Sequence, residues 1–240
     1  MSKKFETREG KNISENILKQ IEVIARKKMT SCSAHGFDHV ERVMNLSLSL
    51  AKKEKEKVDL GVLKVAVLLH DIGVAKEMEN SSGEIDHAIE GAEEADRILK
   101  KFGVEENKIS HIKNCIISHR YKTDKKPKTI EAKILFDADK LETLGAVGIA
   151  RAFAWIGKNN AYIYRKPRNL KAYIDKNLGG KINGRIKDKS KHSPQINWET
   201  KDKYLIDRIN TKEAKKIARS RKAFSGMFLD CLEKEIKGKK

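Results

Sequence analysis

Cysteine and proline are scarce in this chain, three of each among 240 residues, and aromatic side chains make up only 6%. Cys32, Cys115 and Cys231 are odd in number, far apart and form no CxxC pair. That pattern excludes a disulfide framework and reads as free thiols of a reducing compartment, packed as small hydrophobes. The few aromatics give no stacking ladder of the kind single-strand binders use. No apolar stretch approaches the roughly 20 residues that cross a bilayer. Met1–Arg8 is polar and charged with no apolar segment after it, unlike a secretory signal. These absences predict a soluble cytoplasmic protein with no membrane partner. Period-2 strand runs and internal repeats are missing too.

What is abundant is positive charge. The net charge is +18, and it is unevenly placed. Residues 151–240 carry 25 Lys/Arg against 9 Asp/Glu, whereas residues 1–150 carry 27 against 25. A basic lobe favours anionic substrates by steering, nucleic acid can use the same field, and a lysine-rich solvated surface is the plainer reading. The chain is long enough for one large domain or a domain with an appendage. The expected organisation is a core over residues 1–155 and a basic loop with C-terminal helices over 156–240.

Helical periodicity dominates. Ile13, Ile17, Ile21 and Ile24 mark a helix over 12–29, and Val40, Val43, Leu46 and Leu50 another over about 37–55. A third, about 59–70, has few polar positions and is expected at the centre, with Gly73 as its C-terminal stop. Residues 76–84 read as a mobile loop. Helices follow at about 85–102, with Gly103 beyond, and at 105–118. Thr129 is expected to cap a helix that continues through Gly145-Ala146-Val147-Gly148. Residues 156–195, punctuated by Gly179-Gly180, Gly184 and Pro194, read as partly disordered or a lid. A last helix starts after Thr211. The fold class is all-α.

The chemistry sits where the near-continuous apolar run Val62–Leu69 ends in His70-Asp71. Charges at an apolar wall cost several kcal/mol unless paired or bound to a cation. Further candidate ligands occur one set per helix: His35 and His39 flanking Asp38, then His87, His119, Asp137 and Asp139. Helical metal proteins gather ligands in this way, from several packed helices. Mixed imidazole and carboxylate ligation suits Mn, Fe, Ni, Co or Zn and is too nitrogen-rich for a dedicated Ca²⁺ site. His111 and His192 fit no motif and are expected at the surface.

Three stretches carry a resemblance: Ala34–Val43, Leu68–Gly73, and Phe136–Leu141 with its continuation to Arg151. Their order resembles the H…HD…D signature of the HD-domain metal-dependent phosphohydrolases. The closer likeness is to a bacterial and archaeal branch with a D-A-D-x-L-(D/E)-x-L-G-A-x-G-I-A-R stretch, here Asp137–Arg151. An all-α HD-domain bundle with an added basic C-terminal helical segment is what this implies.

The resemblance further implies a metal held by His39, His70, Asp71 and Asp139, with Asp137, His35 and Asp38 supporting the ligands. His87 and His119 match the extra histidines of the longer H…HD…H…H…D pattern. They would bind a second ion, or hold the substrate phosphate and protonate the leaving group. Asp71 would orient the attacking water, and Lys140 and Arg151 would neutralise charge developing on phosphorus. The implied function is hydrolysis of a nucleotide or other phosphorylated small molecule with one or two divalent ions. Two alternatives stay open: a di-iron oxygenase of the same fold, and a basic nucleic-acid-binding protein with a regulatory metal site. No Gly-Tyr-Pro follows the ligand region, which argues against cyclic dinucleotide hydrolysis of the HD-GYP kind. Oligomeric state is not legible.

Overall fold

The computed structural model describes residues 13–29, 36–80, 85–120 and 125–239. Among these the secondary structure is helical and no β-strand occurs, so the fold is all-α. No described helix is long and apolar enough to cross a membrane. The chain packs as two compact units.

The first unit takes its described residues from 1–31 and 55–135. It contains α1 (Glu15–Lys28), α3 (Leu60–Leu69), α4 (Val74–Glu79), α5 (His87–Lys101), α6 (Glu106–Ser118) and the start of α7 (Ile130–Leu141). Helix α3 is buried on every side except its first residues and Lys64, as its composition requires. Asp59 caps it, accepting from the Gly61 and Val62 amides at 3.0 and 3.1 Å. Leu63, Leu69, Leu99, Ile109, Ile112 and Ile116 are fully buried around it. The Thr129 hydroxyl accepts from the Ala132 amide at 3.3 Å, the expected start of α7.

The second unit takes residues 32–54 and 136–240. It contains α2 (Phe37–Ala51), the end of α7, α8 (Gly145–Lys158), α9 (Leu170–Asn177), α10 (Pro194–Thr200) and α11 (Lys212–Ile236), with 3₁₀ turns at Lys189–Lys191 and Asp202–Arg208. Leu141, Leu144, Ile196, Leu205, Ala214 and Ala218 are among its buried apolar residues.

Four expectations need correction. Residues 74–79 form α4, not a loop, because Val74 is buried and Lys76 pairs with Glu90 on α5; residues 81–84 lie outside the described residues. Gly73 is not an αL stop: its φ is −84°, and its role is close approach. A Cβ there would stand 2.3 Å from the His87 carbonyl oxygen. Helix α7 ends at Leu141 rather than continuing, and α8 begins afresh at Gly145, whose φ of +74° only glycine adopts freely.

Residues 156–195 are folded, not disordered. Polar side chains that bind backbone hold this segment, alongside the buried Ile156 and Leu178. Asn169 caps α9 and Asn177 grips residue 188 through both its amide oxygen and its amide nitrogen.

Candidate active site

In the first unit the end of α3, the start of α5 and the end of α6 bring four functional side chains together. His70 follows the last residue of α3, and its Nδ1 donates to the Val67 carbonyl at 2.7 Å. His119 follows α6 in the same way, with Nδ1 donating to the Ile116 carbonyl at 2.5 Å. His87 opens α5 behind the cap Asp86, and its Nδ1 donates to Glu77 Oε2 at 2.5 Å. A carbonyl or an ionised carboxylate only accepts, so the tautomers are forced: each Nδ1 carries the proton and each Nε2 is left to face inward.

All three Nε2 atoms face one buried carboxylate. His119 Nε2 lies 3.4 Å and His87 Nε2 3.7 Å from Asp71 Oδ1, and His70 Nε2 lies 3.7 Å from Oδ2. The ligand atoms of Asp71, His87 and His119 all lie within 4.8 Å of one another. Burial raises the Asp71 carboxyl, but the imidazoles of His70, His119 and His87 outweigh it and hold it well below the usual range.

With Nδ1 protonated, a neutral ring presents a lone pair at Nε2. Three lone pairs around a carboxylate repel unless a proton or a cation lies among them. That donor set, nitrogen with one carboxylate, fits a divalent transition metal. Behind it, Arg120 binds Glu77 Oε1 and Asp86 Oδ1, each at 2.7 Å, and so fixes the carboxylate that orients His87. Burial raises Glu77, yet His87 and Arg120 bring its carboxyl below its ordinary value.

In the second unit His39, in the first turn of α2, is buried between two carboxylates at the end of α7 and just past it. Its Nε2 is 3.3 Å from Asp139 Oδ1 and its Nδ1 3.5 Å from Glu142 Oε2. Arg42 Nε binds Glu142 Oε2 at 2.7 Å and its other arm binds Asp38 at 2.8 Å. Asp38 therefore supports the site at two removes. Lys140 donates to Asp139 Oδ2 at 2.5 Å, and Arg151 stands 3.9 Å from Glu142. Burial lowers His39, and Asp139 and Glu142 reverse that and raise it.

Asp137 does something else. Its Oδ1 accepts from the Asn210 backbone and side-chain amides at 2.8 and 2.9 Å, and its Oδ2 from the Thr211 amide at 2.7 Å. It caps the entry to α11 in place of the Thr211 hydroxyl, which makes no cap bond. Burial raises its carboxyl against those bonds.

The two aspartates should therefore fail differently. Asp137→Ala leaves backbone donors of a helix start unpaired, at about 2–3 kcal/mol, a melting point lower by about 5–10 °C. Asp139→Ala should melt near the parent temperature but bind less metal. Calorimetry beside metal analysis separates them; metal loss greater in Asp137→Ala would reverse the assignment.

Sequence reasoning missed Glu77 and Glu142. Glu142 fills the (D/E) position of the Asp137–Arg151 stretch, so a signal for it existed; Glu77 lay in the segment read as loop. His35 lies outside the described residues, as does Cys32. Cys115 is buried, and burial pushes its thiol up to about 12. His111 is held by Thr129 at 3.0 Å and Glu131 at 3.1 Å.

The expectation that His192 lies at the surface is wrong: it is buried edge-on against Trp155, and burial lowers it to about 4. It lines a cavity of about 240 Å³ with Glu142, Arg151, Asn197, Lys201 and Asp202. Burial lowers the Lys201 ammonium against the pull of Asp202, with Lys140 and Arg151 adding to the effect. Asp202 is raised by burial to about 6.

Residues 36–144 match the HD domain family. The uncharacterized protein YpgQ of Bacillus subtilis is 30% identical over 213 residues, covering 86% of either chain. Its crystal structure in complex with ADP superposes with a TM-score of 0.62 at 25% identity, over 93% of this chain and all of that one. A predicted HD superfamily hydrolase from an uncultured Thermotogales bacterium gives 0.59 at 27% identity, over 91% and 92%. This chain belongs to the HD-domain superfamily.

Proposed function

We propose that this protein is a divalent-cation-dependent phosphohydrolase acting on a nucleotide or a similar phosphorylated small molecule. The observation that carries the reading is the convergence of three imidazole Nε2 atoms on the Asp71 carboxylate, with every Nδ1 engaged as a donor. The ligand set is His39, His70, Asp71 and Asp139, following the family's H…HD…D order. A divalent cation held there supplies Lewis acidity, lowering the pKa of water toward neutrality and withdrawing charge from a phosphoryl oxygen.

The chain's own residues do the rest. Asp71, kept ionised by its imidazole neighbours, accepts a hydrogen bond from the attacking water and so orients it. As an imidazolium, with a second proton on Nε2, His87 or His119 protonates the leaving oxygen and returns to the neutral Nδ1–H form; with Nε2 unprotonated, the pair would instead hold a second cation. Lys140, Arg151 and Lys201 supply positive charge against the negative charge that develops on the phosphoryl oxygens. ADP bound to YpgQ supports a nucleotide as the ligand class. The test is a screen of metal-reconstituted protein against phosphomonoesters, nucleotides and cyclic dinucleotides. Turnover of a nucleotide that requires added Mn²⁺, Co²⁺ or Ni²⁺ is expected. Metal-independent turnover, or an oxygen-consuming reaction of an iron-loaded protein, would sink the reading.

A second reading is favoured by one feature, an open cavity of about 820 Å³ in the second unit whose lining includes Arg165, Lys166, Arg168, Lys176, Lys187 and Lys191. Nucleic-acid binding there predicts an affinity for a single-stranded oligonucleotide that falls steeply with salt. Four phosphate contacts give a log–log slope of about −3. A slope near zero in a fluorescence-anisotropy titration would remove this reading.

A further inference from the structure

The cavity beside Arg151 and Lys201 contains an acceptor for which the hydrolytic chemistry has no use. Asp202 Oδ1 is buried and has no hydrogen-bond partner among the described residues. Buried polar atoms are almost always satisfied, so an orphan of this kind requires an explanation.

Its orientation is not accidental, because a one-way relay of donors leads to it. The Asp188 amide donates to Asn177 Oδ1 at 2.8 Å, which fixes the Asn177 amide so that Nδ2 faces Tyr173 and donates to its hydroxyl at 2.6 Å. The Tyr173 hydroxyl then donates to His192 Nδ1 at 2.9 Å. That leaves the proton on His192 Nε2, which faces Asn197 Oδ1 at 3.5 Å. Asn197 Nδ2 donates to Asp202 Oδ2 at 2.6 Å. Along this path the donors run from the backbone at residue 188 to the carboxylate, while the other proton of Asn177 Nδ2 goes back to the Asp188 carbonyl at 3.0 Å. The relay spends Oδ2 and holds Oδ1 as a fixed acceptor. A preorganised carboxylate acceptor binds donors well and repels acceptors.

We infer that Asp202 is a specificity residue that accepts a hydrogen bond from the ribose 2′-hydroxyl of the bound nucleotide, so that the cavity selects ribo- over deoxyribonucleotides. The choice of sugar over base rests on neighbourhood. The residue immediately before Asp202 is the cation Lys201, and Arg151 lines the same cavity. An acceptor one residue from a phosphate-binding cation meets the part of a nucleotide next to its phosphate, which is the sugar. Trp155, Ile156 and Pro194 supply the apolar wall such a ring packs on. The inference rests on the nucleotide reading above for its ligand class.

The relay also dictates what a conservative change does. In Asp202→Asn the side-chain oxygen must accept from Asn197, so the new NH₂ faces the cavity and the acceptor becomes a donor. Titration calorimetry of the full chain, metal-free and Mn²⁺-loaded, with ADP, 2′-deoxy-ADP and 2′,3′-dideoxy-ADP tests this. The parent should bind ADP about 10- to 100-fold more tightly than 2′-deoxy-ADP and the dideoxy compound alike, the range for one hydrogen bond to a charged group. Asp202→Asn should bring that ratio close to one, and Tyr173→Phe, which cuts the relay away from the cavity, should lower it in part.

No discrimination in the parent, or a ratio unchanged in Asp202→Asn, overturns the inference. So does an altered preference between ADP and GDP with the deoxy ratio intact, since Asp202 would then read the base. Discrimination without hydrolysis of any nucleotide would leave this subsite standing and remove the phosphohydrolase reading; hydrolysis without discrimination would do the converse.

Discussion

Asp71→Ala is expected to lose catalysis by about 10³-fold or more in kcat/KM, equivalent to about 4 kcal/mol at 1.36 kcal/mol per decade, and to lose most of its bound metal. The carboxylate is the common neighbour of His70, His87 and His119, so its removal deletes the anion in a mixed ligand set. Stability should fall by a small margin in the metal-free protein, because the imidazoles around Asp71 outweigh the cost of burying its carboxylate. Metal analysis, a thermal melt and steady-state kinetics on one preparation check all three. Full activity in Asp71→Ala would place the chemistry elsewhere. Lost activity with a lowered melting point and retained metal would make Asp71 a structural residue.

The fold was largely legible because helical periodicity and apolar content are local signals. The burial of α3 follows from a run with Lys64 as its single charged residue, and His70-Asp71 stood out because charged ligands ended it. What was not legible depended on contacts made at long range. Glu77 acquires meaning only when α4 turns it to His87, and nothing in Val74–Glu79 announces that. His192 looked like a surface residue because its surroundings in sequence are Lys189, Lys191 and Ser193. Its burial depends on Trp155 and Tyr173, which lie 37 and 19 positions away. Asp137 and Asp139 share a motif and one helix. Two positions along an α-helix turn a side chain by about 200°, so they cannot serve the same face. The sequence motif could rank them but not say what the other one was for.

Gly73→Ala should damage both the fold and the site, although Gly73 is not itself a ligand. The backbone φ of −84° suits alanine, so the cost is steric rather than conformational. The added Cβ would stand 2.3 Å from the His87 carbonyl oxygen and 2.8 Å from the Gly91 amide nitrogen. Both are backbone atoms of α5, which cannot rotate aside as a side chain would. Relief requires the turn after α3 and the start of α5 to separate by about 1 Å, at the 1–3 kcal/mol typical of overpacking. That is a fall of about 4–10 °C in Tm for a chain of this size. The same displacement draws His87 away from Asp71, now 3.7 Å apart. Errors of about 1 Å at a reacting centre cost on the order of 10²-fold in rate. Gly91→Ala is the control, since its Cβ would meet the same turn at 3.5 Å or more, an ordinary contact, and alanine favours the helix. It should keep metal, activity and melting point. If Gly73→Ala melts lower but binds metal and turns over as before, the turn yields without moving His87, and the spacing of α3 and α5 is not what sets the site.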